Sequence, residues 1–297
     1  MGRIYAQLYS LIRQAREGTL AALKTLSELG YDGVELLSTH TEGQSPAAFK
    51  AYLAELKLDP ISSAGYATEE DLEFGRELGV RYCTFGRVTI GSTRDDVLRA
   101  AEAFNENGRI VARHGMRMII HNHANEFLRV DGVPDGPYIH ELLVRNTDPA
   151  LVGFELDVGW AQLAGVDCPA YLRKFPGRFP VIHVKECNRV AANEEEFEHF
   201  PPKIFALARQ LDPDFAKPGQ PPRFPAEAAK LMYESRNWNV ALGDGMVDWK
   251  VMAVADAGHT VEAWISEREY YHIRGNEAGD PVRAAELDCR YMRDVLA

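Results

Sequence analysis

The sequence predicts a single closed α/β barrel of the (β/α)8 TIM-barrel class, with one long insertion after the seventh strand. Three observations carry this. Eight short apolar runs alternate with longer amphipathic segments along the 297 residues, the pattern of a parallel sheet whose strands are joined by helices. Four of the later runs end abruptly in acids, histidines and amides, and such barrels collect polar groups at the carboxyl ends of their strands. The fingerprint G-x-G-x-x-G is absent after the first strand, which counts against the alternative, an open doubly wound sheet.

Taken in order, Ile4–Leu8 reads as the first strand. Leu20, Leu23, Leu26 and Leu29 have helical spacing, with Gly30 placed to cap the helix Thr19–Leu29. Gly33–Leu37 is the second strand, and Ser45-Pro46 opens a helix running through Leu56, with Ser as N-cap and Pro in the first turn. Ile61–Tyr66, the helix Glu69–Leu78, Tyr82–Phe85 and a long helix from Arg94 to His114 follow. The last four strands are Met118–His121, Val152–Leu156, Val181–Val184 and Val261–Ile265, with helical patterns such as Pro169–Phe175 and Asp248–Ala257 between them.

The chain from 188 to 238 breaks the alternation. It holds the acidic run Glu194-Glu195-Glu196, a helical pattern at Ile204–Leu211 and a proline-rich stretch from Pro213 to Pro225. A connection this long in a compact domain usually serves as a lid, a binding loop or an arm for self-assembly. We read 1–297 as one barrel domain carrying this insertion at the catalytic face, with a homo-oligomer as one use of it.

Composition narrows the function. A formal net charge of −11 disfavours nucleic acid, because polyanion binding needs Lys and Arg to displace counterions from phosphates. Cys83, Cys168, Cys187 and Cys289 form no CxxC, which fits a reducing cytoplasm. The N-terminal segment has no secretory pattern, and no apolar run approaches the ~20 residues that span a bilayer.

The chemistry sits at the four late strand ends. Glu126, Asp157, His183 and Glu267 supply three carboxylates and one imidazole. This is a set for one hard divalent ion, with Mn²⁺ first, Mg²⁺ or Co²⁺ as alternatives and Zn²⁺ less suited. Four protein ligands leave two octahedral positions, which the carbonyl and neighbouring hydroxyl of an α-hydroxy ketone can fill. His121 reads as a buried neighbour of the metal ligands. His123 is balanced between a structural and a substrate-binding role, and Trp160 between core and a wall against which a sugar stacks. Lys185, two residues past His183, either reaches the pocket or pairs with Glu155. The pair Asp248 and Trp249 reads as structural.

Nearly the whole chain resembles the sugar phosphate isomerase/epimerase superfamily, the xylose isomerase-like TIM barrels. The resemblance rests on Leu29-Gly30-Tyr31-Asp32-Gly33-Val34-Glu35-Leu36, His121-Asn122-His123 with Glu126, Asp157, His183-Val184-Lys185, Gly243-Asp244-Gly245 and Glu267. It implies a metal-dependent isomerase or epimerase of a small carbohydrate, with the ketose 3-epimerases as mechanistic guide. By that resemblance Glu126 and Glu267 are both metal ligands and the two proton-transfer groups. The run Glu186-Cys187-Asn188-Arg189 resembles one that holds substrate, which adds Glu186 and Arg189 to the binding residues. Trp160 stands where many of these epimerases have a histidine, and the insertion is a further departure. Glu269, Tyr270 and Tyr271 are expected to shape the pocket, and Arg274-Gly275-Asn276 is the one weak phosphate site.

The runner-up keeps the enolate and ends in β-elimination, as a dehydratase of a keto-sugar or inosose. An apurinic-type endonuclease is the distant rival, disfavoured by the acidic charge and by an oxygen-rich ligand set.

Overall fold

Eight parallel strands close on themselves in the computed structural model, which describes residues 3–11, 18–38, 41–198, 201–216, 224–256, 258, 260–268 and 280–296. In chain order the strands are β1 (Ile4–Gln7), β2 (Gly33–Leu37), β3 (Asp59–Tyr66), β4 (Tyr82–Phe85), β5 (Arg117–His121), β6 (Val152–Asp157), β7 (Val181–Val184), β8 (Glu186–Cys187), β9 (Asn239–Val240) and β10 (Ala263–Ser266). The barrel runs β1-β2-β3-β4-β5-β6-β7-β10 and closes with β10 against β1, while β8 and β9 form a separate two-stranded ribbon. The helices are α1 (Thr19–Leu29), α2 (Pro46–Glu55), α3 (Glu69–Leu78), α4 (Arg94–Arg113), α5 (Ile139–Asn146), α6 (Val158–Leu163), α7 (Cys168–Lys174), α8 (Pro202–Leu211), α9 (Ala226–Ser235), α10 (Trp249–Ala255) and α11 (Pro281–Val295). Among the described residues, no helix is long and apolar enough to cross a membrane.

Local chemistry sets the helix ends. Gly30 ends α1 in the left-handed region with φ 93°, and Ser45 accepts from the Ala48 amide at the start of α2. Thr68 and Asp71 form a reciprocal capping box on α3. The last barrel strand starts at Ala263 and not at Val261, because the Asp256 carboxylate binds the amides of Thr260 and Val261 and turns the chain there.

Two shells of side chains follow from the two-residue strand period. Outward-facing Leu36, Phe154, Ile182 and Trp264 join Leu23, Leu72, Val97 and Phe104 of the helices in the main core. Inward-facing Tyr5, Ile61, Tyr82, Ile119, Val181, Ala263 and Ile265 form a second apolar cluster. This cluster floors the barrel. Two residues further along the strands stand Gln7, Glu35, His121, Glu155 and His183, and two further again Asp157, Lys185 and Glu267.

The insertion is structured where it is described. The ribbon pairs Cys187 with Asn239, and the Asn188 amide donates to Trp238 O at 3.1 Å, so the two ends of the insertion lie side by side. Its helix begins at Pro202, before the expected Ile204, and a second helix, α9, packs on it. Ile204, Ala208, Phe215, Ala228 and Met232 give this pair a small core of its own.

His140 on α5 is fully buried. Its ring stacks on Phe127 at 5.0 Å, and Nδ1 meets the Tyr171 hydroxyl at 2.8 Å. Burial, reinforced by the charges of Arg178 and His121, pushes its pKa down to about 3. The unfolded value is near 6.5. The neutral ring therefore contributes its full stability above pH 6.5 and loses it progressively as pH falls towards 3. Each pH unit in that window is expected to cost about 1.4 kcal/mol. Urea unfolding of wild type and His140→Gln across pH 4–7 checks this: the variant lacks that part of the slope, and parallel curves would refute it.

Candidate metal centre and active site

The inward positions at the carboxyl ends of β5, β6, β7 and β10 converge. His121, Asp157, His183 and Glu267 each offer one ligand atom, and these atoms all lie within 4.8 Å of one another. Asp157 is fixed first. Its Oδ1 caps α6 by accepting from the Trp160 amide at 3.0 Å, which leaves Oδ2 facing the cluster. Asn122, fully buried, holds the strand end from the side: its Oδ1 accepts from the Asp157 amide, and its Nδ2 donates to the Asp157 carbonyl. Oδ2 then lies 3.5 Å from His121 Nε2, 3.7 Å from His183 Nδ1 and 2.9 Å from Lys185 Nζ. Glu267 Oε2 is 2.7 Å from His183 Nδ1 and 3.0 Å from Lys185 Nζ.

His183 faces a second acidic group with its other nitrogen. Nε2 is 3.2 Å from Glu35 Oε1 and 3.1 Å from Glu155 Oε1. Gln7 and Ser62 donate hydrogen bonds to Glu35. Burial disfavours a charged His183, yet Glu155, Glu267 and Glu35 outweigh it and raise the imidazole well above its ordinary value. Burial likewise works against the Glu35 and Asp157 carboxylates. His183 nevertheless holds Glu35 down to about 2, and Lys185 with His121 and His183 holds Asp157 well below the usual range. Burial and the neighbouring Glu35 charge push Glu155 up to about 7.

A cavity of about 290 Å³ opens onto this centre, with Tyr9, Thr84 and His123 on its walls and Glu35, Glu155 and Glu267 inside. Two imidazole nitrogens and two carboxylate oxygens converging beneath a cavity fit a divalent cation with open coordination positions.

No known family model matches the chain, and no curated protein matches it in sequence. Solved structures match it in fold. A sugar phosphate isomerase/epimerase from Parabacteroides distasonis superposes with a TM-score of 0.67 at 21% identity, over 98% of this chain and 93% of the other. The probable 3-DHS dehydratase AsbF of Bacillus anthracis, involved in petrobactin synthesis, gives 0.64 at 12%, over 98% of each chain. The IolI protein, solved with a bound zinc atom, gives 0.64 at 12%, over 99% of this chain and 98% of the other. The chain has the fold of the sugar phosphate isomerase/epimerase barrels.

Within this sugar phosphate isomerase/epimerase fold, three of the four expected ligands, Asp157, His183 and Glu267, come together, and Glu126 does not join them. Glu126 lies on the short turn Asn125–Phe127, beyond the end of β5, and its Oε2 accepts from the His123 amide at 2.8 Å. The inward strand-end position belongs to His121, so the set has two nitrogens and two oxygens. Strand parity carries that signal: Ile119 faces inward, and so does His121 two residues later.

The expected substrate residues divide. His123 lines the cavity. Trp160 is fully buried behind it, with its ring 5.1 Å from His123, 4.6 Å from Trp238 and 4.8 Å from the Arg236 guanidinium carbon. Lys185 is buried and reaches Asp157 and Glu267. Glu186 is a correction: it is buried, accepts from the amides of Gly243 and Val247 and from the Trp249 indole, and so shapes the 243–247 turn. A side chain on Gly245 would strike Glu186 Oε1 at 2.3 Å, so the turn requires glycine there. Arg189 is the other correction. It binds Glu196 and Asn237 and pins the insertion. Neither lines the cavity. Glu269, Tyr270, Tyr271 and Arg274-Gly275-Asn276 lie outside the described residues.

Proposed function

We propose that this barrel is a divalent-metal-dependent isomerase or epimerase of a small, uncharged carbohydrate, acting by proton transfer next to a carbonyl. The convergence of His121, Asp157, His183 and Glu267 beneath an open cavity carries the reading. A divalent ion held by these residues supplies Lewis acidity to a carbonyl and its neighbouring hydroxyl. The nitrogen content makes Mn²⁺ and Zn²⁺ the ions to test first, ahead of Mg²⁺. Among the described residues, no Lys or Arg lines the cavity, which supports a substrate without phosphate.

Glu267 keeps the proton-transfer role that the resemblance implied. Glu155 takes the second such role in place of Glu126. It lines the cavity, whereas the Glu126 carboxylate caps its own turn. Gln7, Tyr9, Thr84 and His123 line the cavity and offer hydrogen-bonding groups to substrate hydroxyls.

The test is deuterium uptake by NMR, in D₂O with Mn²⁺ or Zn²⁺ and a panel of ketoses, 3-keto-sugars and inososes. Metal-dependent label at one α-carbon is expected, with a loss of at least about 10²-fold in Glu267→Gln. Elimination, the runner-up chemistry, appears in the same spectra as a new double bond. Metal-loaded protein that exchanges no α-proton across the panel would refute the reading.

A further inference from the structure

We propose that Lys185 is a positioning residue: a resident counter-cation that holds the carboxylates of Asp157 and Glu267 in place when no metal is bound. The proposal rests on the metal centre described above and goes beyond it. The Lys185 ammonium lies 2.9 Å from Asp157 Oδ2 and 3.0 Å from Glu267 Oε2, and both oxygens belong to residues of the convergent ligand set. Its side chain is fully buried and does not line the cavity, so substrate does not reach it.

The surrounding fold builds this placement. A β-carbon on Gly159 would stand 2.7 Å from Lys185 Cγ and 2.8 Å from its carbonyl oxygen, so only glycine lets the lysine pass. Trp160 then lies beside the ammonium, with its ring centroid 5.6 Å from Nζ. Asp157, Glu267, Glu35 and Glu155 crowd four buried or nearly buried carboxyl groups around one imidazole. Buried charges of one sign are tolerated only when paired. A fixed ammonium offsets them without metal, and a divalent ion entering the same cluster meets its repulsion.

The consequence is a linkage between this side chain and metal-dependent folding. The experiment compares wild type with Lys185→Met, a variant of similar length without the charge, after EDTA treatment and after addition of MnCl₂. Melting temperature and Mn²⁺ affinity by EPR are the readouts. Wild type is expected to fold in EDTA. Lys185→Met is expected to melt lower in EDTA, to gain at least about twice the Mn²⁺-induced shift, and to bind Mn²⁺ roughly ten-fold tighter.

Equal Mn²⁺-induced shifts and equal affinities in the two proteins overturn the proposal while leaving the metal centre standing. Wild-type protein that binds no Mn²⁺ overturns both. Should Lys185→Met fail to fold even with Mn²⁺, the double variant Lys185→Met/Glu267→Gln decides, because it removes one charge of each sign. Recovery of folding in EDTA supports the counter-cation, and a double variant as unfolded as the single one assigns Lys185 to packing alone.

Discussion

Replacing Asp157 with alanine is expected to abolish metal binding and to destabilise the barrel by about 3–5 kcal/mol. The size follows from the number of duties this carboxylate performs. It caps α6 through the Trp160 amide, pairs with the buried Lys185, and faces His121 and His183. Loss of the cap alone costs roughly 1 kcal/mol. Leaving the buried ammonium without its Asp157 partner accounts for the larger share. Isothermal titration with Mn²⁺ and urea unfolding read the two effects separately. Wild-type stability in Asp157→Ala would mean that Lys185 finds its balance elsewhere.

The second large effect is expected at Trp238, one side chain removed from the candidate metal centre. This side chain is fully buried in a cluster with Ala124, Trp160, Leu163 and Cys187. Trp238→Ala is expected to cost about 3–5 kcal/mol, as deletions of buried tryptophan do. It is also expected to raise KM more than it lowers kcat, because Trp160 loses its backing and Trp160 in turn packs on His123 at the cavity wall. Denaturant midpoints and steady-state kinetics check the pair of outcomes. A variant as stable as wild type would make the insertion a surface appendage.

The regular part of this architecture was legible in the sequence because it is written locally. The limits of α1 follow from leucine spacing and Gly30, and the start of α2 from Ser45-Pro46. Asp157, His183 and Glu267 were legible because each closes an apolar run. Glu35 was not, since it becomes a partner of His183, 148 positions away, only when the barrel closes. No local pattern separates such a carboxylate from an ordinary surface charge. His121 could have been found by following the inward parity of β5 to its last residue. The roles of Glu186 and Arg189 depend on contacts with Trp249 and Asn237, on the far side of the insertion. The resemblance of Glu186-Cys187-Asn188-Arg189 to a substrate-holding run carries no trace of these contacts, through which the fold uses the two side chains as fasteners.

The ribbon at the root of the insertion makes the segment beyond it modular. Because β8 and β9 fix the separation of the two ends, the entropy of closing the loop depends only weakly on its length, about 0.6 kcal/mol for each doubling. The chain between them can lengthen, shorten or be exchanged for another helical hairpin with little strain transmitted to β7 or β10. Residues up to the ribbon belong to the barrel frame, and Arg236 and Trp238 pack against it on the return through Trp160. What lies between is free to diversify while the cluster of His121, Asp157, His183 and Glu267 stays unchanged.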